Sequence, residues 1–530
     1  MGIYLNPGNE NFKEILRQKH YVDKTAMISV INEIMETGNK YVCISRPRRF
    51  GKTIAGNMLS AYYSRGCDSR ELFAPYKISA DPDYNDPNGR RNSQNVIKID
   101  LNSEYQNTED KNNLIKILTG KVKREMRREF PSVEIADSYS LAESILEVYA
   151  VTGQTFIILI DEYDVLVREQ VDNALFERYL SFLNGLFKSD TLRPAISLAY
   201  LTGILPVVRD KIQSKLNNFE EYTILDAAEL AEFIGFTAEE VENLCKENGM
   251  DYEECRRWYD GYHQRGYEIY NPESVIKSVQ RKTYGSYWGK TSTYEAIAER
   301  IRQNFEGTKE DIIRMLSGEC VDVNVTRYMN TMSSFRTKDD LFTYLIHLGY
   351  LAYDLDTGTC RIPNWEVRQE WYNAIEDNED YKETNNIIEA SRQLLEDTIN
   401  GDTEAVARAL DISHIHVTSN RSYNNEDALQ SAIYPAYLYA LNKYDIFKEL
   451  TTGKGFADVV FIPYVKGYPA MIIELKHNKN TESALDQIKE KKYFESLRHY
   501  QGNLLFVGIN YDEKEKTHSC KIERFVVEEN

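Results

Sequence analysis

The chain has 530 residues, 42% of them hydrophobic and 28% charged, with a formal net charge of −19. At roughly 100–200 residues per domain this is material for two to four cores, and the acidic balance argues against a nonspecific coat on nucleic acid. Seven scattered cysteines with no C-x-x-C pair and no metal-ligand spacing suggest neither a disulfide framework nor a zinc site, and no apolar run approaches the roughly 20 residues that cross a bilayer. The opening residues lack a basic stretch followed by a long apolar one, and Asn6 stands where a myristoylation signal needs Ser or Thr. The expectation is a cytoplasmic protein with no membrane attachment.

From 41 to 225 apolar strands alternate with amphipathic helices, which predicts an α/β domain whose parallel sheet is covered on both faces. Strands are predicted over 41–45, 96–101, 155–160, 196–202 and 222–225, with helices over 110–130 and 172–188. The polar stretch 81–94 reads as an exposed loop.

The first strand runs into Arg46-Pro47-Arg48-Arg49-Phe50-Gly51-Lys52-Thr53, a loop all of whose residues are expected to contact a nucleotide. A polyphosphate needs backbone N–H groups without steric cover, a fixed ammonium and a hydroxyl for magnesium, and Gly51, Lys52 and Thr53 supply these in order. A helix starting near Thr53 adds its positive end. Arg46 stands where the G-x-x-x-x-G-K-[ST] pattern has its first glycine, and Pro47 has no N–H, so the start of this loop must avoid positive φ. Arg48 and Arg49 either add charge near the phosphates or face solvent.

Gly-Lys-Thr alone is a tripeptide that chance can produce. The predicted strand over 155–160, however, delivers Asp161 and Glu162 at its end. Asp161 suits magnesium through its water shell, and Glu162 suits orientation of an attacking water as general base. Together the segments predict a nucleoside triphosphate site taking ATP and Mg2+ (or Mn2+). Thr202, ending the next strand, either senses the γ-phosphate or makes a simple turn. Arg209 either reaches a phosphate of its own or a neighbouring subunit in a homo-oligomer, or is a surface arginine.

From 232 onward the chain turns mostly helical, and Thr237 with Glu240 forms a capping box. The aromatic segments 258–263 and 270–274 read as a packed corner, with a ligand contact as the alternative. A helix and two short strands across 339–362 outline a winged helix, a module that binds DNA or packs against protein.

Near the C-terminus, apolar strands over 455–462 and 470–476 form a hairpin whose register sets Asp458 opposite Glu474, with Lys476 on the same face. Three ionisable groups on buried strands are costly unless compensated, and a divalent cation held by Asp458 and Glu474 is the economical answer. With Lys476 positioning water and neutralising charge, the cluster predicts metal-assisted phosphodiester hydrolysis. Glu426 is a candidate further ligand or a helix N-terminal carboxylate. Gln487 and Tyr493 are candidate partners of the lysine or a phosphate, or a solvated helix face. The competing reading of the whole cluster is a surface salt bridge on an edge hairpin. From 376 to 530 there are 18 basic and 27 acidic residues, net −9, which disfavours tight nonspecific DNA binding.

From 11 to 225 the chain resembles the bacterial AAA-ATPase-like family, whose members carry R-P-R-R-F-G-K-[ST] and an acidic strand ending in D-E-Y-D, both matched at Arg46 to Thr53 and Asp161 to Asp164. In that light the missing glycine is a family trait. The likeness continues through Tyr259-Asp260-Gly261-Tyr262 and Tyr270-Asn271-Pro272 into a C-terminal domain resembling the PD-(D/E)XK nuclease superfamily, with Asp458, Glu474 and Lys476 on its signature positions. The resemblance implies a P-loop ATPase domain over 1–231, a helical lid and winged-helix-like region over 232–375, and a restriction-endonuclease-like α/β domain over 376–530. The function expected is an ATPase controlling a metal-dependent nuclease that acts on DNA, in defence or mobile-element biology. The alternative is a nucleotide-operated switch or scaffold whose nuclease-like domain binds DNA or protein without cleaving.

Overall fold

The structure is a computed structural model describing residues 2–206, 218–288, 305, 307–327, 335–376, 381–417, 429, 433, 435–452, 455–465, 467–491 and 503–526. The chain divides into two compact units, Met1–Thr293 with Asp322–Glu370, and Tyr294–Val321 with Trp371–Asn530.

In the first unit five strands, β1 (Tyr41–Ser45), β2 (Asn95–Asp100), β3 (Phe156–Asp161), β4 (Ile196–Gly203) and β5 (Glu220–Tyr222), pair in parallel in the order β2-β3-β4-β1-β5. Every residue of β1 and β4 is buried, as continuous apolar runs require when helices cover both faces. Helices α1 (Lys52–Tyr63), α2 (Leu114–Glu129), α3 (Leu141–Thr152) and α4 (Asn173–Phe187) supply that cover. Leu118, Val122, Ile145 and Leu183 pack with Ile97, Ile99 and Ile158 in one core.

Strand order decides which loops meet. β4 lies between β1 and β3, with Ile44 opposite Thr202 and Ile160 opposite Leu201, so the ends of the phosphate-loop strand, the acidic strand and the Thr202 strand converge.

Two expectations shift. The last strand lies at Glu220–Tyr222 rather than 222–225, because the Thr223 hydroxyl accepts the Leu225 N–H and turns the chain. The stretch 81–94 is no open loop: Asp81 caps one helical turn, Pro82–Asn85, and Asp83 pulls Arg90 back over it at 3.2 Å.

In the same unit, the sheet β6 (Phe236–Thr237), β7 (Tyr262–Gln264), β8 (Tyr267–Tyr270), ordered β6-β8-β7, packs with α5 (Ala238–Asn248), α6 (Tyr252–Tyr259) and α7 (Pro272–Arg281). Thr237 and Glu240 make the expected capping box. Helix α8 (Lys338–Leu348) ends at Gly349, whose φ of 87° suits glycine, and a hairpin of β9 (Ala352–Asp354) and β10 (Thr359–Arg361) follows. Residues Leu341 to His347 of α8 are all buried.

The second unit holds a mixed sheet of β11 (Tyr444–Thr452), β12 (Gly455–Pro463), β13 (Ala470–His477), β14 (Asn503–Asp512) and β15 (Thr517–Val526), paired in that order. Only β13 and β14 are parallel. Helices α9 (Lys382–Asn400) and α10 (Thr403–Val417) contribute to the core on one face, and α11 (Thr481–Glu490) packs on the other.

Candidate nucleotide and phosphodiester sites

The phosphate loop leaves β1 through Arg46, whose N–H donates to Gly203 O at 3.1 Å. Its buried guanidinium donates to Ser45 O (2.9 Å), Tyr222 O (3.0 Å) and Gln264 Oε1 (3.3 Å). The expectation that Arg46 meets a phosphate is therefore corrected for its side chain. A buried guanidinium held by two carbonyl oxygens and an amide oxygen ties the loop to β5 and β7 instead. Arg46 and Pro47 keep out of the positive-φ region, as their place in the loop demands, and the left-handed residues come later, Arg49 at 69° and Gly51 at 92°.

The carbonyls of Arg46 and Pro47 accept Lys52 Nζ at 2.8 Å each. Burial pushes Lys52 down to about 8, against the pull of Asp161, Asp164 and Glu162. Gly51 caps α1 with no side-chain hydrogen bond, and a Cβ placed on it meets nothing within 4 Å. The first turn of α1 thus has no side-chain cap and the space beside Gly51 is open, a cradle that fits a polyphosphate.

Across the loop, Asp161 Oδ1 accepts from the Thr202 hydroxyl and from the N–H of Glu162. Glu162 sits at φ 53°, unusual for a residue with a Cβ, and its carboxylate pairs with Arg168 Nη2 at 2.6 Å. Arg168 Nε also lies 3.2 Å from Asp164 Oδ2, an oxygen that accepts the N–H groups of Ile204 and Leu205 at 3.0 and 2.9 Å.

A cavity of about 630 Å³ opens over this floor. Arg48, Arg49, Phe50, Gly51, Lys52, Thr53, Glu162 and Arg168 line it, whereas Arg46, Pro47, Asp161 and Thr202 do not. Ile15, Tyr21, Val22, Phe233, Phe236 and Ile276 form an apolar end. Lys24 also lines the cavity, and its ammonium donates to Glu232 O (2.5 Å) and Glu240 Oε2 (2.6 Å). None of these residues, nor Arg168, was identified as functional from the sequence. Arg168 leaves the faint signal of an arginine four positions after Asp164 on a short helix, while the apolar end joins segments more than 200 residues apart. Arg209 lies outside the described residues.

In the second unit, the pairs Val459–Ile473, Val460–Ile472 and Phe461–Met471 carry the expected hairpin register, whose continuation sets Asp458 against Glu474. Asp458 Oδ2 accepts the Leu475 N–H at 2.7 Å. Glu474 is fully buried; its Oε1 accepts from Lys476 Nζ at 2.9 Å and from Gln487 Nε2. Its Oε2 has no hydrogen-bond partner among the described residues. Burial first, and the neighbouring Asp458 carboxylate second, push Glu474 up to about 7, while Lys476 pulls it down. The buried lysine excludes an exposed salt bridge, and the orphaned carboxylate oxygen beside a second carboxylate fits a hard cation. No group of three or more His, Cys, Asp or Glu with that geometry occurs among the described residues. Gln487 reaches Glu474 rather than standing on a solvated face. Glu426 and Tyr493 lie outside the described residues.

Residues 7–213 match the family described as predicted AAA-ATPase, and residues 424–521 match the PD-(D/E)XK nuclease superfamily. The two matches fall where the motifs predicted them. The chain therefore combines an AAA-ATPase-like region with a nuclease-superfamily region. A protein of Azotobacter chroococcum mcd 1, known as an uncharacterized protein in the vnfD 5′ region, is 22% identical over 533 residues, covering 96% of this chain and 95% of its own. Two solved structures from Aeropyrum pernix are similar at a low level. The ORC2 protein in ADPNP-ADP complexes is 9% identical with a TM-score of 0.29, and the ORC1 protein in complex with DNA is 11% identical with a TM-score of 0.25. Each comparison covers 68% of this chain and 96% of the other. At those scores the fold rests on the strand order above. No helix among the described residues is long and apolar enough to cross a membrane.

Proposed function

We propose that this chain binds and hydrolyses ATP in the cavity over Gly51, Lys52 and Thr53, and that its C-terminal unit is a metal-dependent nuclease acting on DNA. The observation that carries the first part is the cavity floor: a buried ammonium, a helix N-terminus with no side-chain cap and the Glu162 carboxylate just past the end of β3. Lys52 exchanges the carbonyls of Arg46 and Pro47 for phosphate oxygens. Glu162 orients the attacking water, and Thr202 holds Asp161 in place. Magnesium, when bound, would be held by Thr53 and Asp161 and would neutralise charge on the phosphates. The apolar end takes the base, and Arg48 adds charge near the phosphates.

In the second unit Asp458 and Glu474 would hold a divalent cation that polarises the scissile phosphodiester. Gln487 and Lys476 fix one oxygen of Glu474 and leave the other for the cation. The Lys476 ammonium stands ready to neutralise charge that develops on the phosphate. The ATPase domain is assigned to 1–231, the lid and winged-helix-like region to 232–375 and the nuclease domain to 376–530. The acidic balance of the last region supports substrate delivery by another part of the chain or a partner over tight intrinsic DNA binding.

The test has two arms. Wild type should turn over Mg-ATP while Lys52→Ala does not; equal rates would remove the first assignment. Manganese-dependent nicking of plasmid should disappear in Asp458→Ala and in Lys476→Ala, and nicking that survives both would remove the second.

A further inference from the structure

We propose that Arg168 is a positioning residue that holds Glu162 idle while the cavity lacks a γ-phosphate and hands its charge to that phosphate when a triphosphate enters. The inference rests on reading the cavity as a nucleotide site.

Arg168 bridges two carboxylates of unequal standing. Asp164 is buried, and its Oδ2, which lies 3.2 Å from Nε as an ion pair without a hydrogen bond, accepts two main-chain N–H groups just beyond Gly203. That partner cannot move without breaking the end of β4. Glu162 is one-third exposed and meets Nη2 at 2.6 Å. Both Glu162 and Arg168 line the cavity beside Lys52 and Thr53. Nε makes no hydrogen bond, so Asp164 holds the guanidinium by charge alone, while the Nη2–Glu162 hydrogen bond is the contact that a phosphate oxygen can replace.

A carboxylate with an oxygen committed to an arginine is aimed at the guanidinium rather than at water. A γ-phosphate offers the same guanidinium several anionic oxygens in the geometry it prefers. A diphosphate ends one group short. The exchange thus needs the third phosphate, and Glu162 is released for its work only in the triphosphate state. ATP must displace Glu162, so the ion pair in the empty protein opposes ATP binding and leaves ADP binding alone.

The experiment measures affinity for a non-hydrolysable ATP analogue and for ADP, both with magnesium, by calorimetry on the full chain. Glu162→Gln should tighten the analogue about tenfold and leave ADP within about twofold, because it frees Arg168. Arg168→Ala should abolish the preference for the analogue over ADP, and in the double variant the gain from Glu162→Gln should vanish. Arg168→Lys should restore part of the preference, and with Glu162→Gln it carries the test if Arg168→Ala does not fold. A merely structural role would weaken both nucleotides together.

An unchanged analogue-to-ADP ratio in Glu162→Gln, or additive effects in the double variant, overturns the inference while leaving the nucleotide site standing. Failure of wild type to bind either nucleotide, with Lys52→Ala indistinguishable from it, overturns the site assignment and this inference with it.

Discussion

Two buried side chains report how the protein holds charge. Lys52 has its pKa pushed down to about 8 by burial, below its ordinary value near 10.5. Below pH 8 it is protonated in both folded and unfolded chains. Between about 8 and 10.5 the unfolded chain binds more protons, so stability of the empty protein rises with pH in that window. Phosphate binding favours the ammonium and raises its pKa again. Nucleotide affinity should be flat below pH 8 and fall by up to about tenfold per pH unit above it, with proton uptake visible in calorimetry across buffers of different ionisation enthalpy.

Glu366 shows the opposite sign. Its buried carboxylate accepts from Ser274 Oγ (3.0 Å) and from the N–H groups of Tyr287 (2.6 Å) and Trp288 (2.8 Å), yet burial outweighs these donors and pushes it up to about 7. From an ordinary value of 4.5 to about 7 the folded chain binds the extra proton, so stability falls as pH rises through that window. Glu366→Gln keeps acceptors for the same donors without the charge. Its denaturation midpoint should exceed that of wild type at pH 7.5 and approach it near pH 4.5; no difference at pH 7.5 would refute the assignment.

At the scale of elements, close backbone approaches set the second site. Gly508 lies opposite Glu474 in the β13–β14 register, and a Cβ there would stand 2.8 Å from Thr481 O and 3.0 Å from Ala484 Cβ. Alanine must therefore lift the start of α11, the helix that carries Gln487 to Glu474. Gly508→Ala should cost about 1–3 kcal/mol in urea denaturation and weaken manganese binding, whereas Gln487→Ala should weaken manganese binding with little change in stability. The phosphate loop is braced in the same way. The Phe50 ring meets Tyr262 edge-on at 5.4 Å, the Tyr262 hydroxyl donates to Gly349 O at 2.6 Å, and Arg49 donates to Tyr287 O at 2.6 Å. The aromatic segment 258–263 is thus the packed corner its composition predicted, and it bears on the phosphate loop. The buried run Leu341 to His347 of α8 also leaves the winged-helix outline no free helix face there for a DNA groove.

For the whole molecule, two compact units with separate cores should melt as two calorimetric transitions. Mg-nucleotide at a hundred times its Kd should stabilise one of them by roughly 2.7 kcal/mol, and manganese should shift the other. Lys52→Ala should remove only the first shift and Asp458→Asn only the second. A single transition, moved equally by both ligands, would show that the units unfold together.

The sequence by itself determined what depends on local chemistry and short-range periodicity. The β1 bounds, the Thr237 capping box and the β12–β13 register are each written in contiguous residues, and the Gly51-Lys52-Thr53 loop becomes legible once the acidic strand ending in Asp161 is set beside it. The tertiary structure decided what depends on strand order and burial. Arg46 resembles a phosphate ligand in the linear motif, but its guanidinium is consumed by Tyr222 O and Gln264, residues far along the chain. Arg168 resembles a surface arginine until Asp164 and Glu162 fold against it. The apolar end of the cavity exists only because residues 15–24 meet 233–276. A side chain's type is local, but its partners are set by which strands lie side by side, and in a buried site the partners decide what that side chain does.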